Sequence, residues 1–312
     1  MRKYESLIPG WTGWMRFYNY IDSIYEGSVF RPPSEAYSLI LQATIGCKHN
    51  RCTFCGTYRE KKFRIKPFEK LKDDIEIVYP HYKSIDRIFL ADGNALVIPT
   101  DDLLKIINYL YAKFPKLERV GTYACPGDIL DKTPDELEQL RKAGLGIIYI
   151  GLESGSDRIL KRVRKGALSK HMIQAAKKVR DAGLKLSVIM ILGLGGVEHS
   201  EEHARESGKV LSEMDPDYIG ALTLMVVPGT EVAEEVEAGK LKLLEPRDVF
   251  NELRILIENI NVSRSVFRAN HASNYIPIGG TLPEDKETIL KKLDKILATD
   301  NVSFKPEYLR AL

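Results

Sequence analysis

Cysteine is scarce in this chain: four residues in 312, and three of them, Cys47, Cys52 and Cys55, fall within nine positions. A disulfide framework would spread its thiols, so a cross-linked secreted scaffold is excluded and the cluster reads as a set of ligands in a reducing compartment. No run of about 18 uninterrupted apolar residues exists, which excludes a membrane-spanning helix. The opening residues lack the apolar stretch of a secretory signal, and the expected location is the cytoplasm. Charge of one sign is missing too. Forty-six basic residues against 43 acidic ones leave +3, too small an excess to argue for nucleic acid. No glycine- or serine-rich linker divides the chain, and its 44% hydrophobic content over this length suffices for a full core.

What is present is alternation. Apolar β-type runs take turns with helical patterns, the sequence form of repeated βα units around a parallel sheet. Strands are predicted at 38–44, 86–91, 119–124, 147–150, 186–191 and 218–225, with a seventh at 265–269. Between them the spacing predicts helices from Pro67 to a stop at Pro80, over 101–111, after Thr133, and over 169–182, 200–214 and 246–260. The helix after Thr133 is the best signposted: Thr133 as N-cap, Pro134 at the first position, Glu136 closing a capping box, and Gly144 past the end. A last helix is expected from Pro283, capped by Thr281 and carrying Ile289, Leu290, Leu293 and Ile296.

This pattern predicts an α/β chain built as a parallel (β/α)6-type partial or near-complete TIM-like barrel. A doubly wound open sheet has the same periodicity. The barrel is preferred because the polar and glycine-rich segments all follow strand ends, where such barrels build their chemistry. Residues 1–37, with Trp11, Trp14, Tyr18 and Tyr20, read as an N-terminal flap, residues 38–230 as the core barrel, and residues 231–312 as a C-terminal helical extension completing or capping it.

The loop Gly46-Cys47-Lys48-His49-Asn50-Arg51-Cys52-Thr53-Phe54-Cys55-Gly56 has three readings. Its cysteines are small buried hydrophobes, although the loop's polar neighbours suit a core poorly. They bind zinc with His49 as fourth ligand, although structural zinc sites usually divide their ligands into two separated pairs. Or three thiolates hold an iron–sulfur cluster with one iron left open for a small chelating molecule.

Taken with the segments after later strands, the loop resembles that of the radical SAM superfamily, over about residues 38–230. Phe54 directly precedes the last cysteine, as in that family. Ala91-Asp92-Gly93-Asn94 stands where the family receives the amino group of S-adenosylmethionine. Gly151-Leu152-Glu153-Ser154-Gly155-Ser156, trailed by Leu160 and Arg164-Lys165-Gly166, resembles the methylthiotransferase and elongator-type branch, where Glu153 and Ser154 would meet the ribose and methionine part. Ile191-Leu192-Gly193-Leu194-Gly195-Gly196 and Val227-Pro228-Gly229-Thr230 resemble the adenine-side segments, with Gly193, Val227 and Pro228 as contacts. Four residues separate Cys47 from Cys52 where the family has three. The resemblance implies a [4Fe–4S] cluster on Cys47, Cys52 and Cys55, S-adenosylmethionine on the open iron, a 5′-deoxyadenosyl radical that abstracts hydrogen from a small polar substrate, and a one-electron donor such as flavodoxin or ferredoxin. The absence of a second cysteine-bearing domain, an acetyltransferase domain, a cobalamin domain or cysteines beyond residue 230 points to a minimal single-cluster enzyme. An RNA-modifying radical enzyme is a further alternative, disfavoured by the near-neutral charge.

Substrate contacts are expected from Arg268, Asn270, His271, Asn274 and Tyr275, which follow the seventh strand. The competing reading is a polar loop satisfying itself. Cys125, His271 and Tyr275 are catalytic candidates, and Cys125 is equally readable as inert packing. Arg31-Pro32-Pro33-Ser34-Glu35 is a candidate seal for the opposite side. The run Lys61–Lys66 is read as a solvated face, and His81, His171, His199 and His203 as surface residues.

Overall fold

Side chains alternate across each strand, and in this chain both faces are used. The computed structural model describes residues 23–311, so the aromatic residues expected to form the flap (Trp11, Trp14, Tyr18 and Tyr20) lie outside the described residues. Strand β1 (Leu39–Gln42) buries Leu39 and Leu41 against the helices and turns Ile40 inward. After a break at Ala43, β2 (Thr44–Ile45) pairs antiparallel with β3 (Arg64–Ile65) and closes the base of the cysteine loop. Then β4 (Arg87–Ala91), β5 (Arg119–Ala124), β6 (Leu145–Glu153), β7 (Lys185–Leu192), β8 (Tyr218–Thr223) and β9 (Ser265–Ala269) join in sequence order, all parallel. The last strand, β10 (Ile278–Leu282), returns antiparallel on β9. Among the described residues β1 and β10 are the unpaired ends of this eight-stranded sheet, so the fold is an α/β, TIM-like partial barrel that stays open between them.

Helices Phe68–Tyr82, Thr100–Lys113, Pro134–Ala143, Ser169–Asp181, Ser200–Met214 and Pro246–Asn259 connect successive parallel strands, as right-handed βα crossovers require. Their apolar stripes, such as Leu71, Ile75 and Val78, bury completely against the outward face of the sheet. Each large side chain there is worth about 2–5 kcal/mol on truncation to alanine. The Thr133 cap forms as expected: its hydroxyl accepts from the Glu136 amide at 3.2 Å, Glu136 accepts from the Thr133 amide at 2.7 Å, and Gly144 takes φ 116°.

Several elements depart from expectation. The first helix runs through Pro80 to Tyr82, because a proline in the last turn forfeits only one bond to the preceding turn. Strand β10, which the sequence pattern does not signal, precedes Pro283. Thr281 lies in that strand, with its amide donating to Asp285 at 2.7 Å, and the last helix starts at Lys286. Short helices at Pro126–Asp131, Asp157–Arg162 and Glu231–Glu237 fill strand-end loops where periodicity has too few residues to register.

The inward face is aromatic. Phe89, Tyr123 and Tyr149 meet edge to face, with centroids 4.9, 5.6 and 6.1 Å apart, geometry worth about 0.5–1.5 kcal/mol per pair beyond burial. Glu35 enters this lumen from the segment before β1, fully buried. It accepts from Arg119 at 2.6 Å and from the hydroxyls of Tyr149 and Ser38. The Arg31–Glu35 segment therefore lies inside the barrel mouth.

Candidate active site

The cysteine loop is tied to several strand ends at once. Gly93, just after β4, donates its amide to the Gly46 carbonyl at 3.2 Å, and a Cβ there would lie 2.5 Å from Cys47 Cβ and 2.7 Å from its Cα. Asn94 Oδ1 accepts from the Lys48 amide at 3.0 Å. Thr53 donates to the Val163 carbonyl at 3.0 Å and accepts from the Val232 amide at 3.2 Å. Arg59 donates to the carbonyls of Cys55 and Cys52 at 3.0 and 3.1 Å. The four-residue spacing between Cys47 and Cys52 is taken up by Asn50, at φ 41°, whose side-chain amide donates to the Tyr58 carbonyl at 2.8 Å. Asparagine tolerates that left-handed backbone better than most residues. His49 turns away from the cysteines, with Nε2 2.6 Å from the Arg164 carbonyl oxygen.

Behind the loop lies Asp92, wholly buried. Its Oδ2 accepts from Gln42 at 3.0 Å, the Gly46 amide at 3.1 Å and Lys61 at 2.9 Å, and the Tyr58 hydroxyl lies beside the carboxylate, while Oδ1 accepts no well-formed hydrogen bond. A buried acceptor without a donor is costly, about 1–3 kcal/mol, unless a ligand satisfies it. Lys61 thus leaves the solvated face expected of its run, and so does Lys66, buried and paired with Asp74 at 2.6 Å; Lys62 and Arg64 stay exposed. Asn94 spends both amide atoms within the protein, its nitrogen donating to Asp128 at 2.9 Å.

Strand β6 ends in a register shift between Gly151 and Glu153, and Glu153 takes φ 63°. A non-glycine residue in that region costs on the order of 1 kcal/mol or more. The Glu153 carboxylate pairs with Lys165 at 2.8 Å, both nearly buried. Burial pulls the Lys165 ammonium down, but Glu153, Cys52 and Cys125 outweigh it and hold the charge on. Next in the chain, Ser154 Oγ lies 2.8 Å from His203 Nδ1, and His203 Nε2 donates to the Ile191 carbonyl at 2.9 Å. Glu252, equally buried, accepts from the Gly193 amide and the Ser200 hydroxyl, each at 2.6 Å. His203 is therefore no surface residue: it stitches the loop after β6 to the end of β7.

The model of the radical SAM superfamily matches residues 41–207, more than half of the chain. The chain belongs to the radical SAM superfamily. Among its relatives, the 4′-phospho-dehydrooxetanocin synthase of Priestia megaterium is 28% identical over 65% of this chain and 29% of its own length. The threonylcarbamoyladenosine tRNA methylthiotransferase of Rickettsia prowazekii is 24% identical over 86% and 63%. The chain thus spans less than two thirds of either relative. In structure it resembles methylornithine synthase, with TM-score 0.51 and 15% identity over 96% of this chain and 82% of that one. Relatives named for tRNA modification mean that membership does not exclude a nucleic-acid substrate. Membership makes this a radical SAM enzyme, with a [4Fe–4S] cluster and S-adenosylmethionine as cofactors. No helix among the described residues is long and apolar enough to cross a membrane.

The residues of this radical SAM enzyme fit those cofactors. Three free thiols share one loop, Gly93 lets Cys47 pack where a side chain would collide with it, and Asp92 Oδ1 accepts no well-formed hydrogen bond. Among the described residues no three His, Cys, Asp or Glu side chains close on one point as a single ion would need, whereas a cubane takes each thiolate on a different iron. Cys125 sits against Cys47. Its thiol donates to Cys47, which together with the Asn50 and His49 amides and Lys165 brings Cys47 down to about 6 against the opposing effect of burial. Burial raises Cys52 to about 11. Cys125 itself is pushed up, first by that bond and then by burial. Phe54 packs against Ile159, Val163, Leu194 and Leu224. Val227 touches the loop at Gly56, where a Cβ would lie 2.7 Å from its Cγ1, and Pro228 is exposed beside it.

The five substrate candidates separate. Arg268, Asn270 and His271 line the lumen cavity. Asn274 turns to the other side, donating to the Ala221 carbonyl at 3.1 Å. Tyr275 donates its hydroxyl to Glu307, receives Arg310 at 2.7 Å and lines a different cavity, beside Gly193 and Leu224. The turn after β9 places neighbouring side chains on opposite sides. Sequence reasoning missed Lys165, Lys61, His203 and Glu252. It also missed Arg310, which is buried and donates to the Leu224 carbonyl at 2.8 Å and the Ser273 carbonyl at 2.6 Å.

Proposed function

We propose that this enzyme holds a [4Fe–4S] cluster on Cys47, Cys52 and Cys55, binds S-adenosylmethionine beside it, and takes a hydrogen atom from a small molecule in the lumen. When bound, the cofactor pair supplies one-electron cleavage of a carbon–sulfur bond and a 5′-deoxyadenosyl radical. The observation that carries this reading is the unpartnered Oδ1 of buried Asp92, directly behind the cysteine loop. That oxygen accepts the ammonium of the methionine part, with Gly93 letting Cys47 pack directly against the segment after β4. Lys165 holds a positive charge against the anionic thiolates and keeps Glu153 in place. Glu153 and Ser154 then face the ribose, and Gly193, Val227 and Pro228 the adenine. Phe54 and the aromatic lumen wall exclude water from the reacting carbon. A donor of the flavodoxin or ferredoxin class supplies the electron.

The test is anaerobic reconstitution with iron and sulfide, followed by S-adenosylmethionine and dithionite. Wild type releases 5′-deoxyadenosine, and Asp92→Asn, with its cluster retained, binds S-adenosylmethionine about tenfold or more weakly, the worth of one charge-assisted hydrogen bond. Retained affinity in Asp92→Asn would remove Asp92 from the site. A tRNA substrate is the second reading, favoured by the relatives named for tRNA modification. Absence of salt-dependent tRNA binding by the reconstituted protein removes it.

A further inference from the structure

The lumen carries arginine at positions where a barrel interior ordinarily carries aliphatic side chains. Arg87 opens β4 and Arg119 opens β5, and the two stand opposite one another in the parallel register. Like charges placed directly opposite across a ladder destabilise it, so the pair needs a compensating partner. Arg268 lies in β9 against Gly220 of β8, and Arg31 enters from the segment before β1. All four line one cavity of about 600 Å³, whose lining among the described residues includes no carboxylate residue.

Charge accounting leaves this cavity positive. Glu35 reaches Arg119 from below, but its oxygens also serve Ser38 and Tyr149, and Arg119 Nε remains buried without a partner. The nearest carboxylate to Arg87 is the half-exposed Asp86, at 4.0 Å. Among the described residues Arg268 donates only to the carbonyls of Phe267 and Gly280, at 2.8 and 3.0 Å. Among the described residues Arg31 forms no ion pair. Guanidinium forks match the planar, bidentate geometry of carboxylate and phosphate, which is why arginine marks oxyanion sites. The rest of the lining is mostly apolar or aromatic, with Ile147, Ile189, Leu222, Tyr123 and Tyr149, and adds the polar side chains of Ser34, Thr57, Ser187, Asn270 and His271.

We propose that the lumen binds a substrate with an oxyanion, carboxylate or phosphate, at the Arg87, Arg119 and Arg268 end and an apolar body against Tyr123, Ile189 and Leu222. That orientation turns the body toward the cysteine loop, where hydrogen is to be taken. The inference rests on the reading of the lumen as the substrate site.

The test is calorimetric titration of the reconstituted, unreduced enzyme with four probes of similar body: phenyl phosphate, 3-phenylpropionate, 3-phenylpropanol and 3-phenylpropylamine. The expected result is that at least one of the two acids binds about tenfold or more tightly than the alcohol, and that the amine is excluded. The tighter acid identifies the oxyanion. Arg268→Met should remove that preference while leaving alcohol binding in place. Arg87→Gln is the second variant, because Arg268 also braces the β9–β10 hairpin and its loss threatens the fold there. The proposal is overturned if neither acid binds, if the alcohol or amine binds as well as the acids, or if both variants, folded by circular dichroism, keep the wild-type preference. Calorimetry needs no turnover. A protein that prefers the acids but releases no deoxyadenosine refutes the radical reading alone, and one that releases deoxyadenosine but shows no acid preference refutes this inference alone.

Discussion

Replacing Gly93 by alanine isolates the contact on which the cysteine loop depends. The new Cβ would stand 2.5 Å from Cys47 Cβ and 2.7 Å from Cys47 Cα. Carbon atoms rest at roughly 3.5–4.0 Å, so Cys47 must retreat by about 1 Å. The Cα cannot yield as a side-chain tip would, and the loop is tied at Gly46 and Lys48 to the same segment that carries the intruding atom. Overpacking of this kind costs about 1–3 kcal/mol, and the displaced thiol no longer meets its iron. The assay is iron and sulfide per chain after anaerobic reconstitution, with thermal melting as the measure of the fold. Gly93→Ala should lose most of its iron and melt a few degrees lower. Gly127→Ala, where the added Cβ meets nothing within 4 Å, is the matched control and should keep both. A Gly93→Ala protein with full iron and wild-type melting would refute the claim that Gly93 shapes the cysteine loop.

Further outcomes follow from the buried network and the helix cap. His203→Ala strips partners from Ser154 and from the Ile191 carbonyl at a fully buried position. A loss of about 2–4 kcal/mol in denaturant unfolding is expected, with weaker S-adenosylmethionine binding by calorimetry. Burial pushes the Glu252 carboxyl up, so the folded chain keeps this proton at pH values where the unfolded chain has lost it. Its contribution to stability is complete below the ordinary glutamate range and fades as pH rises through the folded value. Glu252→Gln should therefore flatten the decline of melting temperature across that window, and an unchanged slope would contradict the assignment. Thr133→Ala removes the cap of the Pro134–Ala143 helix and should cost about 1 kcal/mol in chemical unfolding.

What the sequence disclosed was local. The Thr133–Gly144 helix could be read because its cap, first turn and stop lie within a dozen residues, and the three cysteines because they share one loop. The strand ends were legible for a similar reason, each with its own glycine or polar turn. Long-range pairing hid the rest. His203 looks like any polar helical residue until the Pro246–Asn259 helix brings Glu252 beside it. Lys61 and Lys62 are chemically alike, and the distant carboxylate of Asp92 and carbonyl of Ser28 turn the first inward. Arg87, Arg119 and Arg268 come from three strands well separated in sequence, so their shared cavity exists only after the sheet forms. Arg310 clamps the Leu224 carbonyl across 86 positions. Strand β10 escaped notice because Gly279 and Gly280 dilute its apolar pattern and invite a turn.

The most direct measurement is iron stoichiometry joined to cofactor cleavage in wild type and in the triple variant Cys47→Ala, Cys52→Ala, Cys55→Ala. Wild type should hold about four irons per chain and, once reduced, release 5′-deoxyadenosine from S-adenosylmethionine; the triple variant should fold, hold no cluster and release none. A wild-type protein reconstituted without air that takes up no iron, or a triple variant that still cleaves the cofactor, would contradict the account.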